Sequence, residues 1–214
     1  MDEASQLIDD FVKTYPIMRF GKGQAIFRPD DDVNRIHYVL EGTVVQYDIS
    51  ETGNVVVVNN FLSGAFLPMS HALGETTIDY FFEADSPVST RVIPREHVIE
   101  FIGSNPNVAL DLLKKSYRGS DEIIRRLSYA MGGSATNRAI YELLSAAERI
   151  GESNINGSVF IPLSENDIAK RTGLSRETVN RMLRTFKAAG IIHATNQGIE
   201  ISSLDILRES LNQH

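Results

Sequence analysis

The chain has 214 residues, with 21 Lys and Arg against 28 Asp and Glu, a formal net charge of −7, and no cysteine. Its length allows a substantial core in one or two domains, and the missing cysteines exclude disulfides, thiolate catalysis and a cysteine-held iron–sulfur cluster. No apolar run is long enough to cross a bilayer and the acidic start MDEASQLIDD is unlike a secretion signal, so the cytoplasm is the expected location, with no membrane partner.

Residues 1–15 predict a short amphipathic helix with Leu7, Ile8, Phe11 and Val12 on one face. From Met18 to Pro94 the chain alternates short apolar runs (AIF, IHYVL, TVVQYDI, NVVVVNNFL, DYFFEA, TRVI) with Gly, Pro and Asp where turns are needed. Many short strands at regular spacing predict an antiparallel roll or jelly-roll barrel. Such a roll could house a cupin-like metal enzyme, but His37, His71 and His97 lack close metal-ligand spacing and no carboxylate–histidine motif accompanies them. Nucleophile elbow, Walker loop and dinucleotide fingerprint are also missing, so the chain is read as a non-enzyme with no catalytic residue and no metal ligand.

A long helix is predicted next, capped by Ser104 or Asn105, with Pro106 suited to its first position. Leu110, Leu113, Tyr117, Ser120, Ile124, Leu127 and Met131 follow at alternating spacings of three and four, an a/d seam that predicts a parallel partner helix and hence a homodimer. Gly132 and Gly133 break this helix, as a C-cap and a candidate hinge. Ser134 can cap a further helix to about residue 150, with Ala139, Ile140, Leu143, Leu144 and Ala147 facing inward.

Residues 164–190, SENDIAKRTGLSRETVNRMLRTFKAAG, predict two short helices joined by a tight turn. Ser164 and Asp167 form a capping-box pattern, and Gly173 is free to take positive φ in the turn. Ser175 caps the second helix. Ile168, Leu174, Val179, Met182 and Leu183 supply a buried seam, and Ala169 is small where the backbones must approach. Arg176, Glu177, Asn180 and Arg181 are left on the open face at the start of the second helix, the part that enters the major groove in a helix-turn-helix. Arg pairs with guanine O6 and N7, and Glu accepts from the cytosine amino group. Ser175, Thr178, Lys170 and Arg171 suit phosphate oxygens. Charge distribution agrees: residues 1–133 carry 12 basic and 19 acidic side chains, 134–214 carry nine of each, and 164–190 carry six against three. The segment IIHATNQGIEI predicts a hairpin that, with a strand near Val159 to Ile161, makes the helix-turn-helix winged, and a short helix over 204–211 ends the chain.

The run SRETVNRMLRTFKAAGII strongly resembles the recognition helix of the family that contains the cyclic-AMP receptor protein and the fumarate/nitrate-reduction regulator. The resemblance covers most of the chain in order and is weaker upstream. It implies a bacterial transcription regulator, active as a homodimer on double-stranded DNA. In the cyclic-AMP receptor branch the form SRETVxR reads a TGTGA-like half-site, which assigns base contacts to Arg176, Glu177 and Arg181, with Asn180 at the intervening position. The implied fold is α+β, with a cyclic-nucleotide-binding-like β-roll over residues 1–104, a dimerisation helix and hinge over 105–133, and a winged helix-turn-helix over 134–214. RNA polymerase and an unidentified small-molecule effector are further candidate partners.

The effector segment departs from the family pattern GELxLF…RS/T. Here residues 64–84 read GAFLPMSHALGETTIDYFFEA. Aligned from Gly64, the Gly-Glu pair becomes Pro68 and Met69; aligned back from Ala84, the phosphate-binding Arg becomes Ile78 and the next residue Asp79. The positions of the long helix that contact the purine fall near Ile123 and Ile124, both apolar. A pocket without cyclic-AMP control, and no obligatory cofactor, is therefore expected. Phe66, Leu67, Met69, His71, Phe81, Phe82, Ile123 and Ile124 are candidate lining for a different effector, with haem on His71 as an alternative. The competing expectation is that such residues simply fill the roll as core.

Overall fold

The computed structural model describes residues 3–51, 53–74, 76–155 and 157–212. The chain forms two compact units, residues 1–120 and 121–214. The first begins with helix α1 (Glu3–Val12) and continues through strands β1 (Ile17–Phe20), β2 (Ala25–Phe27), β3 (Arg35–Glu41), β4 (Val44–Ile49), β5 (Val55–Phe61) and β6 (Phe66–Leu67). Helix α2 (Met69–Gly74), strands β7 (Phe81–Ala84) and β8 (Val88–Pro94), helix α3 (Arg95–Ser104) and the first half of helix α4 (Pro106–Gly132) complete it. The strands form two antiparallel four-stranded sheets, ordered β1-β8-β3-β6 and β2-β7-β4-β5.

Alternation along the strands creates two separate cores. On β3, Ile36 and Tyr38 point to a cluster shared with α1, α3 and α4, where Ile8, Val12, Val98 and Val108 are buried. Val39, one residue on, points into the roll with Phe27, Val44, Leu67, Ile78, Phe82 and Val88. Gly42 takes φ +87° at the turn between β3 and β4, and a Cβ there would collide with the carbonyl of Pro87. Helix α3 is unforeseen in the sequence reading. Its apolar stripe of Val98, Phe101 and Ile102 is one turn long, and only Val98 is fully covered.

The second unit holds the rest of α4, then α5 (Ala135–Ile150), β9 (Glu152–Ser153), β10 (Val159–Ile161), α6 (Glu165–Thr172), α7 (Arg176–Ala188), β11 (Ile192–Ala194), β12 (Ile199–Ile201) and α8 (Leu204–Asn212). Its antiparallel sheet has the order β11-β12-β10-β9, and the β11–β12 hairpin turns where Thr195 N–H donates to the Gly198 carbonyl at 2.8 Å. The division at residue 120 falls inside α4, not at either predicted boundary of the helix. Physically, the last turns of α4 pack on α5: Tyr129 and Tyr141 rings lie 4.8 Å apart, and Arg138 Nε donates to the Tyr129 carbonyl at 3.3 Å. The seam predicted on α4 stands open. Leu110, Leu113, Tyr117, Ile124, Leu127 and Met131 are all exposed, Tyr117 by 66% and Met131 by 81%.

Inside the roll, His37 is buried on β3 against Phe27 and Phe20, with ring centroids 5.2 and 5.7 Å away, and its Nδ1 lies 2.9 Å from Thr90 Oγ1. Burial, helped by the charge of Arg35, pushes its pKa down from 6.5 to about 4. The folded chain therefore resists a proton that the unfolded chain accepts. The stability this confers is complete above pH 6.5 and is lost as pH falls towards 4. Between pH 7 and pH 5 the loss amounts to about 2 kcal/mol. In urea unfolding across that interval, the wild type is predicted to lose about 2 kcal/mol more than His37→Gln. Equal losses in the two proteins would show that His37 does not titrate on unfolding.

Candidate nucleic-acid interface

The two helices at residues 165–188 are set by their caps and by one apolar seam. Ser164 Oγ accepts from Asp167 N–H at 3.2 Å while Asp167 Oδ2 accepts from Ser164 N–H at 2.8 Å, a complete capping box. Gly173 ends α6 at φ +66°, the left-handed conformation that a side chain would strain by about 1 kcal/mol. Two residues later Ser175 Oγ accepts from Thr178 N–H at 3.2 Å and starts α7. Ile168 and Ala169 of α6, and Val179, Met182, Leu183 and Phe186 of α7, are buried in a core shared with α5, β10, β12 and α8, with Leu174 packed at its edge.

That burial leaves the opposite face of α7 in water. Arg176, Glu177, Arg181 and Arg184 are exposed and Asn180 is half-buried, so all four residues expected to read bases share one side. Among the residues assigned to phosphate, Ser175 and Lys170 are exposed, while Thr178 is half-buried with its hydroxyl 2.8 Å from Ser175 Oγ. Lys187 is tied to Glu165 at 3.0 Å. Arg171 corrects the sequence reading. It is only 8% exposed, and its Nη1 lies 3.6 Å from Glu142 Oε1, so it faces the interior rather than a phosphate. At the end of an eight-residue helix it falls on the buried side with Ile168, where a basic residue needs a carboxylate.

Glu142 is the residue that the sequence reading passes over. It sits on the inner face of α5 between Ala139, Leu143 and Ala146, and it is 2% exposed. Its carboxylate also meets Arg126 of α4, Nε to Oε2 at 3.2 Å. One turn earlier on α4, Glu122 accepts from Ser145 Oγ at 2.7 Å and from Arg149 Nη1 at 2.9 Å. Burial alone would raise the Glu122 carboxyl, but Ser145, Arg149 and Arg126 outweigh it and hold it below its ordinary value. A lone glutamate at an otherwise apolar register position is the signal in the sequence that points to such a site.

Within the first unit the predicted effector residues separate. On β6 the alternation sends Phe66 outward under Tyr38, ring centroids 4.7 Å apart, and Met69 packs in the same helix-covered cluster. Phe81 stacks on Tyr47 at 5.1 Å, while its neighbour Phe82 enters the roll. Of these adjacent candidates the inward side chains are thus Leu67 and Phe82, while Phe66 and Phe81 point away from the roll interior. His71 belongs to α2. It is buried against Tyr80 and Phe82, at 6.5 and 6.4 Å, with Nδ1 3.2 Å from Ser70 Oγ. This is the environment of a packed side chain and does not fit an open haem ligand. Ile78 is fully buried and Asp79 exposed. Ile123 and Ile124 lie on the part of α4 that belongs to the second unit, and both are exposed. His97 meets Tyr15 Oη at 3.1 Å, so the three histidines weighed for a cupin site serve three different places, and no group of three potential metal ligands exists among the described residues. No helix among those residues is long and apolar enough to cross a membrane.

Residues 17–105 match the family model of the cyclic nucleotide-binding domain, and residues 137–210 match that of the Crp-like helix-turn-helix domain. The fumarate and nitrate reduction regulatory protein of Escherichia coli is 25% identical over 211 residues, covering 97% of this chain and 82% of that protein. Among solved structures, a CRP/FNR-family transcriptional regulator from Thermus thermophilus matches with TM-score 0.76 and 24% identity over 93% of this chain and 99% of that one. The c-di-GMP responsive global regulator CLP of Xanthomonas campestris matches with TM-score 0.78 and 20% identity, covering 92% and 98%. These two structural likenesses speak to the fold.

Proposed function

The chain belongs to the CRP/FNR family of transcription regulators, and from that premise we propose that it binds as a homodimer to an inverted repeat with TGTGA-like half-sites, without control by cyclic AMP. The observation that carries the reading is the face of α7: two arginines, a glutamate and an asparagine turned to water by a helix whose other face is locked in the core. Arg176 and Arg181 are assigned to guanines, Glu177 to a cytosine amino group and Asn180 to a neighbouring base edge. Ser175, Thr178 and Lys170 are assigned to phosphates. The exposed apolar stripe of α4 supports the dimer, since two half-sites one helical turn apart need two recognition helices.

Selection from random duplexes is predicted to enrich a site with dyad symmetry. Arg181→Ala should weaken binding to that site by about 1–3 kcal/mol and leave most binding to unrelated DNA intact. An enriched site without a dyad, or unchanged affinity in the variant, would defeat the assignment.

The loss of cyclic-nucleotide control is supported by what stands in the phosphate segment. Ile78 fills the roll as core where the family pattern has a cation, Pro68 has no amide hydrogen, and Asp79 adds negative charge nearby. Calorimetric titration with cyclic AMP and cyclic GMP is predicted to give no saturable heat at micromolar concentrations, and operator affinity should be the same with and without either nucleotide. Micromolar binding with a matching gain in operator affinity would show that another cation holds the phosphate, Arg91 being the nearest downstream in sequence.

A further inference from the structure

We propose that Glu142 is a positioning residue for DNA recognition: its buried carboxylate ties α6, the first helix of the helix-turn-helix, to the end of the long helix α4. The inference rests on the reading that α7 binds DNA.

Three helices meet at this one side chain. Glu142 stands on α5. Arg126 reaches it from α4, with Nε 3.2 Å from Oε2 and Nη2 3.5 Å from Oε1. Arg171 reaches it from the last turn of α6, with Nη1 3.6 Å from Oε1. The acid is 2% exposed, and the side chains of Arg126 and Arg171 are 17% and 7% exposed. None of the three side chains stands on α7, whose exposed face is assigned to the bases. Stability alone does not account for them, because a buried ion triad is often replaceable by apolar side chains of similar volume without loss. What a charge cluster imposes that an apolar contact does not is register. A guanidinium is always charged and, once buried, must stay within ion-pairing distance of its carboxylate, whereas an apolar side chain tolerates sliding.

The register matters because of where Arg171 sits. Thr172 and Gly173 follow it, then Leu174 and the cap Ser175, so the end of α6 fixes where α7 begins. Without Glu142, Arg171 loses the carboxylate that holds it inward, and the turn shifts as the guanidinium moves towards water. Arg176 and Glu177, in the first turn of α7, are the first to feel that shift. Bidentate base contacts fail with small displacements, while attraction to phosphate persists. The signature of the role is therefore a loss of discrimination between the selected site and unrelated DNA, with non-specific binding kept.

The test measures affinity of the full-length protein for its selected duplex and for a scrambled duplex, across a salt series. Glu142→Gln keeps the shape and removes the charge. It is expected to lower the ratio of the two affinities about tenfold or more, with non-specific binding and its salt slope unchanged. Arg126→Met cuts only the α4 link and is expected to lower the ratio about threefold or more. The double variant should be no worse than Glu142→Gln alone, since Arg126 reaches α6 through the Glu142 carboxylate, and its pair with Glu122 at 3.7 Å lies within α4 itself. A folded Glu142→Gln that discriminates as the wild type does, or loses both affinities in parallel, overturns the inference. Should Glu142→Gln fail to fold, Arg126→Met decides, and full wild-type discrimination in that folded variant overturns it. Wild-type protein that shows no preference for its selected duplex would instead sink the DNA-binding reading itself.

Discussion

Recognition here depends on a helix that cannot turn over. Val179, Met182, Leu183 and Phe186 bury one side of α7 in the same core as Ile168, Leu143 and Ile199. Four such side chains contribute on the order of 6–12 kcal/mol of burial. Exposed charge pairs are worth about 1 kcal/mol or less each, so packing, not electrostatics, fixes which way the helix faces. The consequence is that Arg176, Glu177, Arg181 and Arg184 are presented to solvent before any DNA arrives. Residues assigned to base contacts can then bind with little further backbone ordering, because the scaffold beneath them is already formed.

Polar groups divide into those that face outward and those that set the scaffold. Arg171 and Arg181 are both basic and ten residues apart, yet one is buried on a carboxylate and the other is open. The distinction comes from helix phase and the presence of Glu142 on α5. In the roll, the same logic makes His37 a neutral core residue and buries Ile78, the residue that the proposed function sets at the cation position of the family pattern.

Much of this is legible in the sequence where a period or a cap carries it. The alternation of turns and short apolar runs marks the roll, the three-four spacing marks α4, and Ser164, Asp167, Gly173 and Ser175 mark the ends of α6 and α7. What escapes has a physical cause in each case. Sequence offers Phe66 with Leu67, and Phe81 with Phe82, all as lining, and only Leu67 and Phe82 point inward, because a run of two apolar residues does not reveal which side of a strand is inner. Helix α3 escapes because its apolar stripe is too short to show a period. Arg171 reads as a phosphate contact because composition near a helix-turn-helix favours that use, and its partner lies 29 positions earlier, a pairing that only tertiary structure reveals. The compact-unit division within α4 likewise follows from Arg126 and Tyr129 packing on α5, which no local pattern announces.

Two copies of α7 reading one duplex is the central claim, and hydroxyl-radical footprinting of the wild-type protein on its selected site tests it most directly. Two equally protected stretches, centred about 10 base pairs apart and related by the dyad of the site, are the predicted result. A single protected stretch, or protection spread evenly along the duplex, would contradict it.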